Sequence, residues 1–213
     1  TKGAHTRLLE EFDASESAVL VGTQMIAKGL DFPEVTLVGV VNADTTLKLP
    51  DFRAAERTYD LLEQVAGRAG RGGRAGRVVV QTYWASHPAI RAVASHDRDE
   101  FVAGELAERR EAGYPPFSRL SNAVVWGRDQ GAVRDVSLRL AEALRDACGG
   151  RRGWEVLGPC DCLRARAKDQ HRRHVLVKSP LGSEPGPVLS ACARDAAPPR
   201  GINIAVDIDA HDM

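Results

Sequence analysis

Eight consecutive residues, Gln64-Val65-Ala66-Gly67-Arg68-Ala69-Gly70-Arg71, have the types and spacing to hold a polyphosphate. Two guanidiniums three residues apart can converge on one anion, and their planar forks match pairs of phosphate oxygens. Gly67 and Gly70 let the backbone turn closely around such a group, and Gln64, one helical turn earlier, can add a neutral hydrogen bond. An ordinary Gly/Arg-rich surface loop is the plain alternative, but a Q-x-x-G-R-x-G-R string is rare by chance.

A second chemistry sits further along. Between Arg151 and Lys178 lie eight basic residues (Arg151, Arg152, Arg164, Arg166, Lys168, Arg172, Arg173, Lys178) against three acids (Glu155, Asp161, Asp169). A short loop followed by a strand would present Arg164, Arg166, Lys168, Arg172, Arg173 and Lys178 together, for contact with phosphates or with an acidic partner tail. A solvated charged face is the alternative. Cys160, Cys162, His171 and His174 form a C-x-C…H-x-x-H arrangement. That spacing matches no established structural zinc module, so no metal is expected there. Cys148 and Cys192 fit as small core residues on helices, and Trp84, Trp126 and Trp154 as core or boundary anchors rather than a base-stacking platform.

The elements that must position these groups follow from periodicity. A short helix is expected over 6–12, and buried β-prone runs over 18–21, 35–41 and 78–83. Phe52, Ala55, Tyr59, Leu62 and Ala66 step by three and four, which puts them on one face of a helix ending at Gly67. Continuous apolar strands alternating with helices indicate part of a parallel α/β sheet. From 87 to 111 the pattern is helical and charged, closing at Gly113 and Pro115-Pro116. Beyond lie a strand (120–126), a helix (132–147), strands at 154–157 and 174–178, a helix (188–195) and a strand (202–208). This βαββαβ order suggests a small ferredoxin-like domain. The expected organisation is a sheet-bearing region 1–86, a helical connector 87–114 and a domain 115–213.

Composition bounds the rest. At 213 residues with 43% hydrophobic residues the chain can bury one good core or two small ones. Lys+Arg and Asp+Glu number 29 each, so any basic surface is local. No apolar run approaches membrane-spanning length and no signal-peptide pattern opens the chain, so no membrane partner is expected, and the cytoplasm is the expected location. Four irregularly spaced cysteines are expected to be reduced. The start, Thr1-Lys2-Gly3 without an initiator Met, suggests a fragment. A small-molecule enzyme with a Gly-rich nucleotide loop is disfavoured, because no G-x-G-x-x-G follows a strand and opens a helix.

The string at 64–71 resembles motif VI of superfamily 2 helicases, and Gly22-Thr23-Gln24-Met25-Ile26-Ala27-Lys28-Gly29-Leu30-Asp31-Phe32-Pro33 resembles their motif V. With the intervening Asp51-Phe52-Arg53-Ala54-Ala55-Glu56-Arg57, and the later Tyr114-Pro115-Pro116-Phe117 and Leu157-Gly158-Pro159, nearly the whole chain is similar to the primosomal protein N′ family of replication-restart helicases. The resemblance implies the end of a RecA-like second helicase lobe (1–86) followed by a DNA- and partner-binding C-terminal domain of α+β ferredoxin-like fold. It implies that Arg68 and Arg71 neutralise charge on the γ-phosphate of ATP bound with Mg²⁺, and that Gln64 assists them. Gly29 and Asp31 would couple nucleotide state to DNA grip, and Thr23 would contact a DNA phosphate.

The same resemblance implies ATP-dependent 3′-to-5′ unwinding, recognition of stalled or abandoned forks, and initiation of primosome assembly. Its partners would be forked or branched DNA, the acidic C-terminal tail of single-stranded DNA-binding protein, other primosome proteins and the replicative helicase loader. Zinc would belong to an insertion rich in paired C-x-x-C just before Thr1. The chain itself has no G-x-x-x-x-G-K-[ST] string and no acidic Mg²⁺ box, so it is expected to be inactive alone. A non-catalytic module binding DNA junctions and the single-stranded DNA-binding protein tail is the alternative.

Overall fold

The computed structural model describes residues 3–23, 34–67, 69 and 76–211. They divide into two compact units, one from 1–49 with 53–102, the other from 50–52 with 103–213.

In the first unit, helix α1 (Ala4–Asp13) matches the expected helix over 6–12. Residues 18–23 correct the expectation of a buried strand: they carry no regular structure, and Val19 and Val21 are exposed. A strand needs a neighbour to satisfy its backbone, and the parallel sheet among the described residues joins only β1 (Leu37–Val40) and β2 (Arg77–Val80). Both strands alternate between exposed and half-buried positions, where buried strands were expected. After β1 comes the short α2 (Asp44–Leu47), then α3 (Ala54–Ala66). Helix α3 buries Tyr59 and Leu62, the face predicted from spacing, and Phe52 lies before its first turn. Its Thr58 hydroxyl donates back to the Ala54 carbonyl, at 2.8 Å. The helix closes where the Gly67 N–H donates to the Glu63 carbonyl and the Ala69 N–H to the Ala66 carbonyl.

The single helical stretch expected over 87–111 is two helices, α4 (Pro88–Ser95) and α5 (Arg98–Glu111). His87 caps α4 by accepting the Ala89 N–H on Nδ1 at 3.2 Å, and His96 ends it in the left-handed region at φ 56°. Asp97 then caps α5, accepting the Glu100 N–H at 3.0 Å. The unit's core gathers Ala43, Tyr59, Leu62, Ala89, Ile90, Ala92, Val93 and Phe101, with the Tyr59 and Phe101 rings stacked at 4.7 Å.

The second unit runs β3 (Arg119–Gly127), α6 (Gln130–Cys148), β4 (Glu155–Ala167), β5 (Gln170–Ser179), α7 (Pro185–Asp195), β6 (Ile202–Asp207). Strand order is β4-β5-β3-β6 with every neighbour antiparallel. This is the βαββαβ ferredoxin-like arrangement, with β5 inserted between β3 and β4. Register places Ala123 and Val125 of β3 with Val175 and Val177 of β5 on one side of the sheet. They pack there with Val133, Val136, Leu140 and Leu144 of α6 and Leu189 and Cys192 of α7. Cys148 is buried in the same core.

Two glycines are fixed by close approach. A Cβ on Gly127 would lie 2.5 Å from Ile202 Cδ1 and 2.7 Å from the Gly201 carbonyl, so β3 and β6 could not pair as they do. Gly158 has φ +93°, and a Cβ there would meet the His174 carbonyl at 3.0 Å. It sits in the bulge where the β4–β5 register shifts between Leu157 and Cys160.

Strands β4 and β5 correct the sequence reading most. Short strands at 154–157 and 174–178 with a basic loop between were expected; the basic residues instead lie on a long hairpin closed by Lys168 and Asp169. Both turn residues have positive φ (49° and 61°), as a two-residue hairpin turn of the right twist requires.

Candidate functional site

The motif VI region is described as far as the end of its helix. Gln64 lies half-buried on the last turn of α3, one residue after Glu63, whose Oε1 is buried without a hydrogen-bond partner among the described residues. Arg68 and Arg71 lie outside the described residues, as do Gly29 and Asp31 of the motif V string. Thr23 is exposed in a segment without regular structure. What the structure supplies here is the helix and glycine turn that carry the chain toward the two arginines.

The basic hairpin is described throughout, and strand parity sorts its residues. Arg164, Arg166 and Lys168 are exposed around the tip, with Arg166 paired to Asp169. The Arg166 guanidinium holds the Asp169 carboxyl below its usual range, mainly by a direct hydrogen bond. Arg172 is half-buried on the sheet side away from the helices, in register with Trp126 of β3. Arg173, one residue on, points to the helix side. It is ion-paired with Asp161 at 3.2 Å and donates to the Ser137 hydroxyl at 3.3 Å and the Pro159 carbonyl at 3.1 Å. Lys178 is buried: its ammonium donates to the Ala112 carbonyl at 2.9 Å, pairs with Glu155 at 3.1 Å and sits 4.1 Å from the Tyr114 ring centre.

The structure therefore brings Arg164, Arg166, Lys168 and Arg172 to one end of the unit. Arg173, half-buried, and Lys178, buried, are instead held by the protein partners just named. The alternation that separates Arg172 from Arg173 was available in the sequence, but only to a reading that placed both on a strand. Trp126, half-buried beside Arg172, is the neighbour that spacing alone did not find.

Cys160 and Cys162 have thiols pushed up by burial, and Cys160 lies across from His174, whose imidazole is pushed down by burial and by Arg172. Among the described residues no group of three His, Cys, Asp or Glu side chains is placed to hold a metal ion, and no helix is long and apolar enough to cross a membrane. Trp154 packs against the second unit's core as an anchor, whereas Trp84 is exposed.

Comparison with known proteins bears on both units. Residues 1–73 match the helicase conserved C-terminal domain, and 110–211 match the primosomal protein N C-terminal domain. The chain is 46% identical over 177 residues to the replication restart protein PriA of Bacillus subtilis, covering 83% of this chain and 22% of that protein. The proteins of the same name from Synechocystis and Treponema pallidum are 41% identical over 179 residues and 40% identical over 205, covering 84% and 94% of this chain. The chain spans 22%, 21% and 30% of the lengths of these three relatives. With a helicase C-terminal match and a primosomal C-terminal match in order along one chain, and relatives of a single name, the chain belongs to the primosomal protein N′ family, the replication restart proteins PriA.

Proposed function

We propose that this chain is part of an ATP-dependent 3′-to-5′ DNA helicase that recognises stalled or abandoned replication forks and starts primosome assembly. The observation that carries the reading is the union, in one chain, of a helicase C-terminal region ending in Gln64 and the Arg68/Arg71 string with a primosomal C-terminal domain bearing a basic hairpin.

In this reading Arg68 and Arg71 meet the γ-phosphate, where fixed guanidiniums stabilise charge that develops during phosphoryl transfer. Gln64, at the end of α3, orients the same group. Gly29 and Asp31 link nucleotide state to the grip on DNA, and Thr23 holds a DNA phosphate. ATP and Mg²⁺ are held with a first lobe outside this sequence, and zinc belongs to the longer protein. The hairpin residues Arg164, Arg166, Lys168 and Arg172 face branched DNA or the acidic tail of single-stranded DNA-binding protein. Other primosome proteins and the helicase loader are the further partners, in the cytoplasm at the nucleoid.

The test is Arg68→Ala and Arg71→Ala in the full-length protein. DNA-stimulated ATP hydrolysis is expected to fall about a thousandfold or more; hydrolysis left intact would remove the motor reading. The second unit closes its own core, which favours a non-catalytic DNA and partner-binding module should that happen. Removing Arg164, Arg166 and Lys168 together is expected to flatten the salt dependence of fork binding, by about one unit of log–log slope for each phosphate no longer neutralised.

A further inference from the structure

The first unit carries an aromatic cluster that the motif V and motif VI strings do not use. It stands at the carboxyl ends of β1 and β2. The ladder runs past both strands, the Gln81 N–H donating to the Val40 carbonyl and the Ala43 N–H to the Gln81 carbonyl, each at 2.9 Å. Asp44, fully buried, follows the first strand, and Thr82-Tyr83-Trp84 follow the second. The Asp44 carboxylate accepts the Thr82 hydroxyl on Oδ1 and the Tyr83 N–H on Oδ2 at 2.9 Å. Thr82 Oγ1 in turn accepts the Trp84 N–H at 2.9 Å. The Thr82 hydrogen bond, then that of Tyr83, with Lys48 adding its charge, holds the Asp44 carboxyl below the usual range.

This anchor holds two rings outward. Tyr83 is 85% exposed and Trp84 44% exposed. One ammonium serves both: Lys48 Nζ lies 6.0 Å from the Tyr83 ring centre and 5.7 Å from that of Trp84. The His87 ring lies 6.5 Å from Trp84 and nearly parallel to it, at 18°. A buried, fully bonded carboxylate is an elaborate device for fixing a turn whose side chains are left in water. Exposed aromatics with a shared cation are chemically suited to nucleobases, since every base offers a π-face and its phosphate an anion. A duplex hides those faces, whereas a single strand offers them. The polar surround of Lys48, Thr82 and His87 fits a nucleotide better than an apolar protein surface. The carboxyl ends of parallel strands are also where open α/β sheets take their ligands.

We propose that Tyr83 and Trp84, fixed by Asp44 and Thr82, form a base-stacking site for single-stranded DNA, with Lys48 on a flanking phosphate. The proposal rests on the reading of this protein as a DNA motor. It reverses the sequence expectation that Trp84 is a core or boundary anchor.

The experiment is photocrosslinking of the full-length protein to an oligothymidylate carrying one 5-iododeoxyuridine, with the modified peptide identified by mass spectrometry. A crosslink at Tyr83 or Trp84 is expected. Tyr83→Leu, at a side chain so exposed that folding tolerates it, is expected to weaken oligothymidylate binding about tenfold or more without changing the salt slope. Lys48→Ala is expected to reduce that slope by about 0.7. Crosslinks confined to other peptides, with Tyr83→Leu binding as tightly as the parent, would overturn the stacking site. If Arg68→Ala still abolishes hydrolysis in that case, only this site fails and the motor reading stands. If the parent protein neither hydrolyses ATP nor binds the oligonucleotide, both fail together.

Discussion

The two units solve the same problem, covering a sheet, to different extents. In the second, two helices lie over one face of four antiparallel strands, and Leu140, Leu144, Val175, Val177 and Leu189 are fully buried. In the first, two parallel strands of four residues each alternate between exposed and half-buried, with Leu37 and Val79 in solvent, and the core is carried by α3 against α4 and the Tyr59–Phe101 stack. Antiparallel neighbours can be joined by a tight hairpin and tolerate one open face; parallel strands need crossovers and cover on both faces. The unit bearing the basic hairpin therefore closes a core of its own. Among the described residues, the unit that matches the helicase C-terminal domain leaves Leu37 and Val79 exposed on its two strands.

The strongest way to break this contrast is to remove a core side chain from one unit and watch the other. Leu140→Ala takes a fully buried side chain from the middle of α6. It is expected to cost about 2–5 kcal/mol, the usual range for leucine truncation in a packed core. Hydrogen exchange should quicken across β3 to β6 and leave α3 and α4 unchanged. Equal loss of protection in α3 would mean that the two units unfold as one. Leu62→Ala is the reciprocal change, expected to loosen α3 and α4 alone.

A smaller effect is expected at Phe52, which belongs to the second unit although its sequence neighbours on the C-terminal side belong to the first. Its ring stacks on Tyr114 at 4.6 Å and 11°, and the Arg109 guanidinium lies 5.0 Å from its centre. Arg109 is itself held by Glu105 at 2.8 Å. Phe52→Ala is expected to destabilise the second unit by about 1–2 kcal/mol, because it removes both the ring pair and the face on which the guanidinium rests. Chemical denaturation followed at Trp126 and Trp154 would measure it. A null result would show that the 50–52 segment only rests on that unit.

These residues also show what the sequence could say. The α3 face at Ala55, Tyr59, Leu62 and Ala66 was legible because a helix repeats its apolar spacing over many turns. The βαββαβ order was legible because β3 and β5 carry concentrated apolar runs, at 123–126 and 175–177, and α6 repeats its apolar spacing between them. The hairpin was not: Ala165 and Ala167 do alternate with Arg164, Arg166 and Lys168, but two alanines are too small to mark a buried face, and only the cross-strand ladder defines it. The break at His96 had a signal, Asp97 three residues before Glu100, which helical periodicity on either side masked. The roles of Phe52, Tyr114 and Lys178 depend on pairings 62 and more residues apart in sequence, which no local pattern encodes. The site strings themselves were legible, but the geometry of Arg68 and Arg71 lies outside the described residues.

The smallest expected effect separates the units by pH. His174 is 7% exposed, and its Nδ1 has no hydrogen-bond partner among the described residues. Burial, then the charge of Arg172, pushes its imidazole below the ordinary 6.5, while Asp161 pulls the other way. The folded protein thus holds His174 neutral at pH values where the unfolded chain has begun to bind a proton. Its share of stability is full above pH 6.5 and is lost as pH falls from there toward the folded value. Asp44 in the first unit has its carboxyl lowered below 3.8, so its share is full above 3.8 and is lost only as pH falls through its lower folded value. At about pH 5 the second unit should therefore have lost stability through His174 while the first keeps the Asp44 anchor. Arg172→Gln removes one cause of the His174 shift and should flatten the second unit's response, and His174→Leu should abolish this part of it. Denaturation midpoints of the parent protein and of both variants at pH 7 and at about pH 5 decide the matter. If all three proteins lose the same stability between those conditions, His174 is not the group that makes the second unit acid-sensitive.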